Sequence, residues 1–151
     1  MESKLNALLA NLTVEYHKLQ NQHWYVAGSD FFQAHAQLEE LYDGLLSAID
    51  DVAELLLQLG GKPIASLAEV LSTADIAERA DEPLASAEAF ASVREDFSHL
   101  LEQVSAIKDQ ADAESNHLVS AKMDEYIASL SKTLWMLRQQ AASLANSQLA
   151  G

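Results

Sequence analysis

The chain has 151 residues, a length suited to one domain, and 49% of them are hydrophobic, enough to fill a core and too many for a disordered segment. Nine Lys+Arg against 23 Asp+Glu leave a formal charge of −14, which repels nucleic acid, and the absence of cysteine excludes disulfides, thiol nucleophiles, iron–sulfur clusters and thiolate zinc sites. Five glycines and two prolines are too few turn breaks for a sandwich or barrel.

Apolar residues recur at helical spacing four times. The first stripe is Leu5, Leu8, Leu12, Tyr16, Leu19, His23 and Val26, and the second runs Phe31, His35, Leu38, Tyr42, Leu45, Ile49, Val52, Leu56 and Leu59. The third is Phe90, Val93, Phe97, Leu100, Val104, Ile107 and Ala111, and the fourth Met123, Ile127, Leu130, Leu134, Leu137, Ala141 and Leu144. Each predicts an amphipathic helix, roughly 25 to 30 residues long, that must bury one face. Gly28-Ser29-Asp30 separates the first two, with Ser29 or Asp30 placed to cap the second. Gly60-Gly61-Lys62-Pro63 ends the second with a glycine cap. Residues 64–83 form a long crossover in which Ser66-Leu67-Ala68-Glu69-Val70-Leu71 predicts a short helix; Ser86 is a candidate cap for the third long helix, and residues 112–116 make the last turn. Connections that are short, long and short predict an all-α, ferritin-like four-helix bundle, a single domain over residues 1–151 with a short helix in the crossover between helices two and three. No run of about 18 apolar residues occurs, and the opening Met-Glu-Ser-Lys-Leu is no signal peptide, so the expectation is a soluble, cytoplasmic protein without a membrane partner.

Two histidines, His23 and His35, stand where the stripes should be apolar. On helix two, His35, Glu39, Asp50 and Glu54 fall at about 0°, 40°, 60° and 100° around the axis, so they share one face. Carboxylates on a buried face are costly unless paired with a cation or a metal. His35 and Asp50 are about 22 Å apart along the helix, too far to hold one ion within one chain. A second, antiparallel copy of helix two would bring histidine from one subunit to Asp50 and Glu54 of the other, and two-fold symmetry would make two such sites. Gly44, near the expected crossing, is a candidate for close backbone approach. Imidazole and carboxylate without thiolate suit iron or manganese and tolerate zinc; iron is the expected metal, since such open sites permit redox turnover. A di-iron bundle within one chain would need two Glu-x-x-His motifs, and the only match, Glu114 to His117, lies at a helix start.

The stretches His23-Trp24-Tyr25-Val26-Ala27-Gly28, Phe31-Phe32-Gln33-Ala34-His35, Leu38-Glu39-Glu40-Leu41-Tyr42, Ile49-Asp50-Asp51-Val52-Ala53-Glu54 and Gly60-Gly61-Lys62-Pro63, with Lys132-Thr133-Leu134-Trp135-Met136-Leu137, closely resemble the Dps family of miniferritins. The resemblance covers nearly the whole chain. It implies a homo-oligomeric shell of twelve subunits, a dodecamer of two-fold dimers. It also implies ferroxidase centres at the dimer interfaces, Fe(II) and hydrogen peroxide as substrates, and a ferric mineral stored inside against oxidative stress. By position it implies His23 and His35 from one subunit and Asp50 and Glu54 from its partner as ligands. Glu39 would assist a second metal, and Trp24 would give up an electron beside the centre, whereas Tyr42 fits core packing better than chemistry. Leu55 departs from the family, which usually places an arginine there for an interface ion pair. The family's pore aspartate has no match at Ser120 or Ala121, leaving Asp112, Glu114, Asp124 and Glu125 as candidates. DNA binding is not expected, because Lys4 is the only cation in the first 17 residues and none follows Arg138. The alternative to a ferroxidase is a non-enzymatic helical assembly whose acidic, histidine-bearing face only binds divalent metal.

Overall fold

Each apolar stripe becomes a helix in the computed structural model, which describes the backbone of residues 1–149 and side chains through residue 141. The order is α1 (Glu2–Tyr25), β1 (Val26–Ala27), α2 (Phe31–Gln58), α3 (Leu67–Thr73), β2 (Leu84–Ala85), α4 (Ser86–Ala113) and α5 (His117–Leu149). The chain is an all-α, ferritin-like bundle of two antiparallel hairpins, α1–α2 and α4–α5, joined by the crossover that carries α3. The third stripe is buried throughout, from Phe90 to Ala111. Leu5, Leu8, Leu12 and Leu19 of α1, Leu38, Leu45, Val52 and Leu56 of α2, and Met123, Leu130 and Leu134 of α5 close the same core. Leu144, the last position of the fourth stripe, lies outside the residues whose side chains are described. Among the described residues no helix is long and apolar enough to cross a membrane.

The helix ends show which local signals act. Gly60, at φ +76°, follows the last turn of α2; its N–H reaches the Leu57 carbonyl at 3.0 Å while that of Gly61 reaches Leu56 at 2.9 Å. This is a Schellman closure, and glycine takes its left-handed residue at no steric cost. The end of α4 repeats the pattern, with Ser115 at φ 54° and Asn116 N–H on the Ala111 carbonyl at 2.8 Å. Because α4 runs on through Ala113, the final turn is shorter than the sequence predicts. The short helix α3 forms as expected, and Ser66 caps it, its hydroxyl accepting from Glu69 N–H at 3.3 Å. Asp30 and Ser86 behave differently. Asp30 stands at the N-cap position of α2 without a side-chain cap bond, and Ser86 is the first residue of α4 rather than its cap. The Ser86 hydroxyl instead donates to the Asp30 carboxylate at 2.5 Å, tying the starts of α2 and α4 together. Beside them β1 and β2 pair in parallel, Val26 with Leu84 and Ala27 with Ala85, a clasp that period-based reading does not reveal.

Candidate metal centre

His23 ends α1 and His35 lies one turn into α2, and the clasped turn folds the two onto each other. Their rings stack with centroids 3.6 Å apart and planes 19° from parallel. The backbone of each binds the ring of the other: His23 Nδ1 lies 2.8 Å from the His35 carbonyl oxygen, and His35 Nδ1 lies 2.8 Å from that of His23. A carbonyl only accepts, so both Nδ1 atoms carry the proton and donate. That fixes both rings in the tautomer whose Nε2 lone pair is free, the arrangement typical of metal-binding histidine. Neither Nε2 has a hydrogen bond among the described residues. Tyr42 meets the His23 ring edge-on at 5.4 Å and Phe31 stacks on His35 at 4.9 Å, so the pair is held from both sides. His23 is only 7% exposed. Tyr42 therefore packs, as expected.

The carboxylates expected to join them stand apart. Glu39, Asp50 and Glu54 are exposed on the outward face of α2, and no three His, Asp or Glu residues gather into a metal-holding group among the described residues. Leu46 and Leu57 are exposed on that same side, giving it an apolar character that water alone does not favour. Trp24, next to His23, is also exposed. Gly44 stands on another side of α2. It lies about 120° around the helix from Asp50 and lines a groove with Leu8, Leu12, Tyr126 and Leu130, where an added Cβ would meet nothing within 4 Å. Leu55, unlike Gly44, is interior, 3% exposed, and brings no charge for an ion pair. Glu114 ends α4 and His117 begins α5, so the Glu-x-x-His match straddles a turn and forms no helical pair.

The acidic pore candidates are engaged within the chain. Lys108 holds Asp112 at 3.1 Å and Asp124 at 3.3 Å, and Lys122 holds Glu125 at 2.9 Å and Asp51 at 3.2 Å. Glu114 accepts from the Gln110 amide at 2.7 Å. The Asp112 carboxyl is held below its ordinary range by the Ser120 hydroxyl and then by Lys108. Tyr126, half buried beside Asp51, is pushed well above the usual phenol range, first by desolvation and then by that carboxylate.

Comparison with known proteins decides the family. A model of the ferritin-like domain matches residues 2–146. A DNA protection during starvation protein from Brevibacillus brevis is 41% identical over 133 residues, 88% of this chain and 89% of the relative. The chain belongs to the Dps family of ferritin-like proteins. General stress protein 20U of Bacillus subtilis is 40% identical over 134 residues, 89% of this chain and 92% of the relative. The crystal structure of a Dps protein from Bacillus brevis superposes with a TM-score of 0.86 at 39% identity, covering 90% of this chain and 91% of that one. The bundle of a Dps protein is thus present here, with His23 and His35 stacked and Asp50 and Glu54 facing outward.

Sequence reasoning passed over the polar groups buried on α1. Asn11, Glu15 and Gln22 are fully buried although none lies on the apolar stripe. The signal was their helical spacing, together with Lys18, at 11, 15, 18 and 22.

Proposed function

We propose that this protein oxidises Fe(II) and stores the ferric product, in the cytoplasm, in a shell of twelve subunits built from two-fold dimers. In each dimer the outward faces of two α2 helices pair, so that His23 and His35 of one subunit meet Asp50 and Glu54 of the other. The observation that carries this reading is the mismatch between the two halves of the ligand set. The histidines are preorganised with free Nε2 lone pairs, while the carboxylates are unpaired beside exposed Leu46 and Leu57. Iron is the substrate; zinc or manganese can take its place because the donors are imidazole and carboxylate. Two Fe(II) ions each give one electron to hydrogen peroxide, which takes up two protons and leaves as two waters. In this mechanism Asp50 and Glu54 supply the negative charge that favours Fe(III) over Fe(II), and the histidines fix the ion's position through rings that do not rotate. Glu39, exposed one turn from His35, is placed to draw a second ion, and Trp24 to donate an electron when peroxide receives only one.

DNA contact is not part of this function. Lys18, Lys108 and Lys122 are each committed to carboxylates, and Arg79 donates to Asn21 and to the Ala80 and Glu82 carbonyls. The remaining cations stand on a chain of net charge −14, which opposes sequence-independent phosphate binding. Fluorescence anisotropy with duplex DNA at about 50 mM salt, the most permissive condition, should give no micromolar binding.

Subunit mixing tests the centre. A His23→Ala/His35→Ala protein and an Asp50→Ala/Glu54→Ala protein, each inactive alone, regain part of the Fe(II) oxidation when reassembled together, because some dimers then hold one complete site. Mixed shells that oxidise no faster than either parent would overturn the shared site. Iron uptake without any peroxide-dependent oxidation in the unaltered protein would overturn the enzymatic reading and leave a metal-binding assembly.

A further inference from the structure

The polar stripe of α1 has a use that the histidine centre does not absorb. Asn11, Glu15, Lys18 and Gln22 face α4, antiparallel to it: the Asn11 amide donates to Gln103 at 3.1 Å, and Lys18 meets Asp96 at 2.6 Å with both side chains only 13% exposed. The Asn11 side-chain oxygen also accepts from the backbone N–H groups of Asp75 and Ile76, at 2.8 and 3.0 Å. Between these paired groups, Glu15 is fully buried and neither of its oxygens has a hydrogen-bond partner. The charged groups acting on it are Lys18 on its own helix and Asp96 on α4. His99 of α4 stands across from Glu15 in the same register, its Nε2 buried without a hydrogen bond and 3.6 Å from the Asp75 carboxylate. The Lys18 ammonium is already held by Asp96. An ionised Glu15 would therefore be a second buried anion beside Asp96, a placement that costs several kcal/mol.

We propose that Glu15 keeps its proton in the folded protein at neutral pH, facing Asp96 as a neutral acid, and that losing this proton in alkaline solution loosens α1 from α4. Burial first, and then repulsion from Asp96, hold the Glu15 carboxyl well above its ordinary range, with Lys18 opposing them. The linkage has a definite sign. An acid whose folded-state pKa is raised contributes its full stability below the unfolded value, and loses it as pH rises toward and through the folded value. The α1–α4 packing is thus firmest in mildly acidic solution and weakens on the alkaline side, opposite to an ordinary paired carboxylate.

Unfolding of the full-length protein by denaturant, measured from about pH 5 to pH 9, tests this against Glu15→Gln, a neutral group of the same shape. Within the titration window, the unfolding constant of the unaltered protein should rise by up to about tenfold per pH unit from this one proton. The Glu15→Gln profile should lack that rise, so the variant becomes the more stable of the two at the alkaline end. Parallel profiles would overturn the proposal. Infrared spectroscopy gives a readout that does not depend on the variant folding. At neutral pH the folded protein should show a protonated-carboxyl C=O band that shifts when glutamate is labelled with carbon-13 and vanishes on alkaline titration. No such band, or one insensitive to the label, would equally overturn it.

Discussion

The two halves of the proposed ligand set differ in how much of their structure one chain provides. His23 and His35 are clamped by each other's backbone, stacked ring on ring, and flanked by Tyr42 and Phe31. Asp50 and Glu54, about four to five turns further along α2, lie exposed with no ion pair within the chain among the described residues. In the proposed centre the donor pair is finished during folding of the subunit, and the exposed carboxylates wait for a partner. The lesson is that substitutions in the two halves should separate, the histidine half affecting both folding and chemistry and the carboxylate half affecting chemistry alone.

The largest expected effect is on the carboxylate side. Asp50→Ala/Glu54→Ala should slow peroxide-dependent Fe(II) oxidation roughly 100-fold or more, while the stability of the dissociated subunit stays within about 0.5 kcal/mol, as for other surface changes. A large loss of subunit stability would break the contrast. His23→Ala should lose oxidation to a similar degree and also destabilise the subunit by about 1–3 kcal/mol, since it removes a buried ring and its bond to the His35 carbonyl; denaturant unfolding beside the oxidation assay reads both. Leu46→Glu sharpens the contrast by adding a charge to the outward face of α2. It should lower the assembly mass seen by light scattering at low protein concentration, with subunit helicity unchanged. The smallest effect is at Gly44, which faces the α5 groove rather than the carboxylates. Gly44→Ala should raise stability by about 0.5–1 kcal/mol through helix propensity alone, with assembly mass and oxidation rate untouched. A fall in assembly mass would mean that a second copy does approach this side of the helix.

Much of this was legible because the helices are long and their apolar residues regular. His23 and His35 stood out as polar breaks in otherwise apolar stripes, and the distance from His35 to Asp50 followed from helical rise. What escaped notice depends on contacts between segments distant in sequence. Asp30 has the composition of a helix cap, but its carboxylate is recruited by Ser86, 56 positions away. The two-residue strands are too short to show a period. On α1 the buried arc is wider than one stripe, because this helix packs against α2, α3 and α4 together; Asn11 and Glu15 are buried toward Gln103 and Asp96 of α4, off the apolar stripe. A glycine in a helix marks missing side-chain volume, but sequence position alone does not say on which side.

The clasp between β1 and β2 carries a consequence for how the chain reaches this shape. Each hairpin is made of contacts between neighbours in sequence, so α1–α2 and α4–α5 can form early and separately, at little cost in chain entropy. Pairing Val26 with Leu84 and Asp30 with Ser86 closes a loop of nearly sixty residues, and that closure is entropically expensive until helical surfaces stand ready to hold it. The histidine pair belongs wholly to the first hairpin. Its geometry can therefore be set before the crossover is fastened, and a growing subunit would carry a shaped half of the proposed site while its second hairpin is still finding its place.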